Sequence, residues 1–176
     1  GVGGAWSYVS TQAISSDATV DFTNQVIGYD YHYVMEHIPV SNDQSNIEIL
    51  FGVAGITYRT TGYLTNIVAQ SNTNAAQSGQ PTTGIRSSTV TVQELGNSTD
   101  EGLIVGEFTV YNPMGTSVKT MCQGTQLYNS QSAHKMISIF AGWYNTAAEA
   151  HPATRISITA GTMTSGNILQ YRRKRS

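Results

Sequence analysis

The stretch LIVGEFTVYNP, residues 103–113, sets Ile104, Gly106, Phe108 and Val110 against Val105, Glu107 and Thr109, then stops at Asn112-Pro113. A period of two puts each set on one face of a strand, and Asn-Pro is a turn signal. The same rhythm spreads outward from this point. In KMISIFAGWY (135–144), Ile137, Ile139, Ala141 and Trp143 share one face. In ATRISITAG (153–161), Ile156, Ile158 and Ala160 oppose Arg155, Ser157 and Thr159, and in STVTVQ (88–93) Val90 and Val92 oppose Thr89, Thr91 and Gln93. WSYV (6–9), TVDF (19–22), the run Tyr29–Ile38, IEILFGVAGITY (47–58), GYLTNIV (62–68) and NILQY (167–171) complete the set. About ten short strands separated by Gly, Asn, Asp, Ser and Pro predict an all-β fold, an antiparallel β-sandwich of jelly-roll-like type. No window of helical length carries a 3.6-residue apolar stripe.

At 176 residues the chain is expected to be one domain. The sandwich is expected over residues 1–171, with a basic C-terminal tail at 172–176. The stretch 69–84, AQSNTNAAQSGQPTTG, reads as one long polar loop. Charged residues are only 11% of the chain, and Ser, Thr, Asn and Gln fill roughly a third of it, against about 25% charged in an ordinary globular protein. Such a neutral polar surface suits packed assemblies and sugar-contacting proteins. The lone Cys122 rules out an intrachain disulfide framework. No stretch matches a secretory leader or a membrane span.

Charge is distributed unevenly. Four of the nine basic residues, Arg172, Arg173, Lys174 and Arg175, stand together in YRRKRS, leaving five basic against eleven acidic residues elsewhere. A basic end on an acidic body fits docking onto an acidic protein surface. The competing readings are a solvated tail and a nucleic-acid arm. Four charges make a short arm, and the acidic body would repel a phosphate backbone.

Catalytic and metal patterns are weak. His32, Glu36 and His37 follow H-x-x-x-E-H, which matches no zinc-protease spacing. On a strand, His32 and Glu36 lie about 13 Å apart and His37 points the other way, so one metal cannot collect all three. His134 and His151 have no local partner, Cys122 reads as a small core residue, and Asp17, Asp21, Asp30 and Asp43 are too scattered for a calcium loop. Asn97-Ser98-Thr99 is a glycosylation sequon in form. No nucleophile elbow or phosphate-binding loop is present. The expectation is a non-enzymatic protein without a cofactor.

Ten tyrosines and two tryptophans against four phenylalanines make a polar-tipped aromatic set. Tyr29, Tyr31 and Tyr33 share one strand face. They fit the core, a subunit interface or a sugar-stacking platform.

Three blocks carry a family resemblance. AISSDATVDFTN leading to YDYHYVMEHIPVSND, then DEGLIVGEFTVYNPMGTSVK, then FAGWYNTAAEA with RISITAGTMTSGNILQY, resemble in their order the small virion proteins of tailed phages. The resemblance runs over roughly residues 5 to 171, though 46–95 match poorly, and YRRKRS departs from the family's apolar finish. It implies a β-sandwich in one of two settings: a usually trimeric head-decorating (cement) protein, or the receptor-facing distal domain of a tail fibre or spike. It brings no catalytic or metal residues. With Gly1 read as the start, no heptads or stem precede the sandwich, which favours the head setting. The expected partners are two further copies in a homotrimer and the major capsid protein, with a host glycan or receptor in the tail setting. The expected location is the outer surface of the virion, with neither nucleic acid nor membrane as partner.

Overall fold

The computed structural model describes residues 4–71, 77–79, 83–88, 95, 97, 103–130 and 134–176. Among them thirteen strands form two antiparallel sheets, and there is no helix to cross a membrane. The larger sheet runs, in spatial order, β1 (Ser7–Ala13), β13 (Asn167–Lys174), β3 (Tyr29–Ile38), β9 (Ile104–Tyr111), β10 (Met121–Asn129), β11 (Lys135–Tyr144), β6 (Tyr63–Ser71) and β7 (Gln77–Gly79). The smaller one runs β2 (Thr19–Phe22), β12 (Ala153–Ile158) and β4 (Ile47–Val53), with β5 (Thr57–Tyr58) and β8 (Ile85–Arg86) both pairing with β4.

Alternation puts the core between the sheets. Tyr31, Tyr33, Met35, Phe108, Val110, Phe140 and Ile67 from the large sheet join Phe22, Ile47, Ile49, Phe51 and Ile156 from the small one, none more than 2% exposed. Burying each such side chain contributes about 1.5–3 kcal/mol. Gly124 makes room for two of them. It lies opposite Phe108 and Phe140 in register, and a Cβ there would stand 2.3 Å from the Glu107 carbonyl oxygen and 2.7 Å from Phe140 Cζ. The Asn-Pro stop is a turn: Asn112 has φ 49° and its carbonyl accepts from Gly115 N at 3.0 Å.

Ile137, Ile139, Ala141 and Trp143 share a face as expected, and it is the outer one, while Met136, Ser138, Phe140 and Tyr144 face the core. Several other expectations are corrected. The run 47–58 is two strands that turn at Gly55, φ 80°. Strand β10 was not anticipated, because MCQGTQLYN offers Cys122, Gln126 and Tyr128 rather than aliphatic residues to the core. The expected loop at 69–84 holds the end of β6, β7 and the start of the approach to β8, while 72–76 and 80–82 lie outside the described residues. Most of STVTVQ lies outside them too.

The boundary at residue 171 also moves. Strand β13 is flanked by β1 and β3, and its pairing continues Arg172 to Tyr31, Arg173 to Asp30 and Lys174 to Tyr29. Arg175 N still donates to Gly28 O at 2.9 Å. The basic residues therefore belong to the sheet, because backbone pairing satisfies their amides and carbonyls.

Candidate functional site

The outer face of the large sheet gathers Arg173, Arg175 and His32 with side chains not singled out above, in three adjoining zones. The first is the basic end of β13. Asp30, on β3, is only 8% exposed and takes Arg173 on Oδ2 at 3.3 Å, while Arg175 Nε stands 3.5 Å from Oδ1. Oδ1 also accepts from Asn112 N at 3.0 Å. Arg172, on the opposite face of β13, lies over the Tyr29 ring at 4.9 Å. The acidic partner sought for the basic end is thus partly in its own chain.

Aromatic and polar groups come next. Arg173 sits over the Trp6 ring at 4.8 Å, Trp6 leans on His32 at 5.2 Å, and Tyr8 meets Tyr171 edge-on at 5.9 Å. Tyr8 is 59% exposed, and its hydroxyl bonds to Thr11 Oγ1 at 3.0 Å. His32 bonds through Nδ1 to Thr109 Oγ1 at 3.0 Å and places Nε2 3.5 Å from Glu107 Oε2. Burial lowers its pKa below the usual value, and Glu107 only partly offsets that. From here a shallow groove of about 320 Å³ crosses β9, β10 and β11, lined by His32, Glu107, Thr109, Gln123, Thr125 and Ile139 among others.

The third zone is apolar. Val105, Leu127 and Ile137 form a row across β9, β10 and β11, Ile139 stands beside Val68 of β6, and Met121, Trp143 and Leu64 form a further row. Apart from the half-buried Trp143, these side chains are 38–59% exposed. Across β10, β11 and β6 these rows and the ones between them hold no charged residue.

Other expected site residues fall elsewhere. Tyr31 and Tyr33 are fully buried, so they form core and not an interface. Their hydroxyls are satisfied internally: Val26 N donates to Tyr31 at 2.7 Å, and Gln25 and Gln170 donate to Tyr33 at 2.6 and 3.1 Å. Burial pushes both phenols up, which keeps them neutral. Only Tyr29, half-buried under Arg172, reaches the surface. Glu36 and His37 sit at a bulge in β3, where His37 has φ 48°, and they do not join His32. Asp17, Asp21 and Asp43 each hold a separate partner: Ser15 N, Arg155 and Asn97 N. Among the described residues, no three His, Cys, Asp or Glu side chains are placed to hold a metal. Cys122 is buried and its thiol is pushed up by that burial. Ser98 and Thr99 of the sequon lie outside the described residues.

One cluster was not expected from the sequence. His151 is buried between Phe51 and Tyr144, with ring centroids at 5.2 and 5.3 Å, and bonds to Thr120 Oγ1 at 2.7 Å. Its Nε2 lies 3.4 Å from Glu149, which grips Arg59 through two bonds of 2.8 Å. Phe51, Arg59, Thr120 and Tyr144 lie far from His151 in sequence, but Glu149 is two residues before it, which corrects the expectation that His151 has no local partner.

No protein-family model and no curated protein sequence matches the chain. Among solved structures, A. japonicus CB05 superposes with a TM-score of 0.38 at 10% identity, covering 98% of this chain and 26% of that one. The chain thus spans about a quarter of that structure's length. A glycosyl hydrolase family protein from Mycobacterium fortuitum gives 0.29 at 6% identity over 93% of this chain and 73% of that one. The VP2 subviral particle of infectious bursal disease virus gives 0.12 at 8% identity, over 95% and 40%. Likenesses this slight carry no argument about function.

Proposed function

We propose that the protein is a non-enzymatic structural protein of a tailed-phage virion, a homotrimeric decoration (cement) protein on the outer surface of the particle. In this reading it docks on the major capsid protein of the head shell through the outer face of its large sheet and stabilises the shell. The observation that carries the reading is the apolar ribbon over β10, β11 and β6, joined by Val105 of β9, whose rows on β10, β11 and β6 hold no charged residue. Its side chains at 38–59% exposure leave on the order of 600 Å² open, at the upper end of what monomers show. With its polar flanks that approaches the roughly 800 Å² each partner contributes to a standard interface. Depletion of charge at the centre is the mark of an interface core.

A second reading, the receptor- or carbohydrate-binding distal domain of a tail fibre, is favoured by the exposed aromatic corner at Tyr8 and Trp6. Two measurements separate the readings. Light scattering gives the oligomeric state, and cryo-electron microscopy of phage particles gives the location. The proposal expects a trimer on the head lattice, and Ile139→Glu combined with Val68→Glu to abolish head occupancy without lowering the melting temperature. A monomer found at the tail tip overturns it.

A further inference from the structure

We infer that the corner of the large sheet bearing Tyr8, Trp6, Arg173 and Arg175, with the groove beside it, is a binding site for an acidic saccharide. This goes beyond the assembly reading and assigns a separate role to the Tyr8 edge of the same face, away from the rows of Leu127 and Trp143.

The first observation is a charge imbalance. Three other arginines of the chain are closely matched: Arg59 to Glu149 at 2.8 Å, Arg155 to Asp21 at 2.7 Å and Arg86 to Glu48 at 2.7 Å. At the corner, two guanidiniums share one carboxylate at 3.3 and 3.5 Å. Asp30 is also committed to Asn112 N, in a hollow of about 290 Å³ beside the two guanidiniums. Two guanidiniums around one carboxylate leave one positive charge and several N–H donors without a matching acceptor. Guanidinium forks recognise carboxylates and sulfates well.

A second, independent observation is the ring beside those charges. Tyr8 is 59% exposed and held in place by its bond to Thr11 and its edge contact with Tyr171. A pre-oriented, solvent-facing ring offers a flat apolar surface at little entropic cost. The groove continues from it in register. Tyr8, Tyr171, His32, Thr109 and Gln123 stand in one row across β1, β13, β3, β9 and β10. Four strand spacings of about 4.8 Å make that row about 19 Å long. Beyond the ring the row offers hydroxyl, imidazole and amide groups, donors and acceptors together, as a chain of sugar hydroxyls requires. A bare anion would use the guanidiniums alone. An extended sugar chain with acidic substituents uses the whole row.

The test is calorimetric titration of the full chain at low salt with a galacturonic acid hexamer, a chondroitin sulfate hexasaccharide, maltohexaose, sodium sulfate and a dT hexamer. The acidic hexasaccharides are expected to bind at least about tenfold tighter than maltohexaose or sulfate, and to weaken several-fold between about 50 and 200 mM salt. Tyr8→Ala is expected to weaken them about fivefold. Arg175→Gln, exposed and not needed alone to hold Asp30, is expected to cost about threefold at an unchanged melting temperature. Failure of both acidic hexasaccharides to bind overturns the proposal. So does equal affinity for sulfate or the dT hexamer, or an unchanged affinity in Tyr8→Ala.

Discussion

Lowering the pH from 7 to 5 is expected to cost the native state about 2 kcal/mol through His151 alone. The imidazole has no exposed side-chain surface. Burial pushes its pKa from 6.5 down to about 4; Glu149 opposes the shift and Arg59 adds to it. In the unfolded chain the ring takes its proton near pH 6.5. Between that value and about 4, the unfolded state binds a proton that the native state refuses. The contribution is therefore complete above about pH 6.5 and drains away as pH falls toward 4. At 1.36 kcal/mol per unit the whole window is worth about 3 kcal/mol, most of it gone by pH 5. The assay is urea unfolding, followed by tryptophan fluorescence at pH 7, 6 and 5, of the native sequence and of His151→Gln. Glutamine keeps a group able to bond Thr120 but does not titrate. His32, which burial also lowers, is present in both proteins and cancels. With a slope of about 2 kcal/mol/M, the native sequence should lose about 1 M more of its midpoint than the variant. Parallel losses in the two proteins would refute the claim that burial sets this proton's affinity.

Two further outcomes follow from backbone placement. Gly124→Ala is expected to destabilise by about 3 kcal/mol or more, since its Cβ would lie 2.3 Å from a backbone oxygen and strand or ring must shift; a denaturation midpoint within error of the parent would contradict it. Truncation after Tyr171 removes the pairing of Arg172, Arg173 and Lys174 with β3 and strips Asp30 of its cations, so about 2–4 kcal/mol should be lost. A free, solvated tail would instead come away at no measurable cost.

Strands whose alternation carries aliphatic or aromatic residues were legible in the sequence. TVDF and Tyr29–Ile38 match β2 and β3 residue for residue, and the Asn112-Pro113 stop ends β9. Alternation alone did not say which face is inward. In KMISIFAGWY both faces are apolar, and the face with Ile137 and Ile139 went outside because Phe140 and Tyr144 fill more of the gap between sheets. Strand β10 escaped because its inward positions include Gln126, acceptable there only through a hydrogen bond from the Ser87 hydroxyl. The site was less legible still. Arg173, Asp30 and Tyr8 come from three strands and Trp6 from the residue before β1, and only register brings them to one corner. Net charge exposed the basic cluster; nothing local exposed the carboxylate it covers.

Strand β13 lies late in the chain yet in the interior of its sheet, between β1 and β3. During synthesis, β1 has no neighbour and β3 has an open edge until β13 has emerged. The first strand of the sheet therefore waits for one of the last residues of the sequence, a closure over roughly 160 residues. Long-range closure of this kind slows folding and keeps unpaired edges available to other chains in the meantime. Association of nascent copies is expected to begin at that edge, well before the finished outer face exists to compete with it.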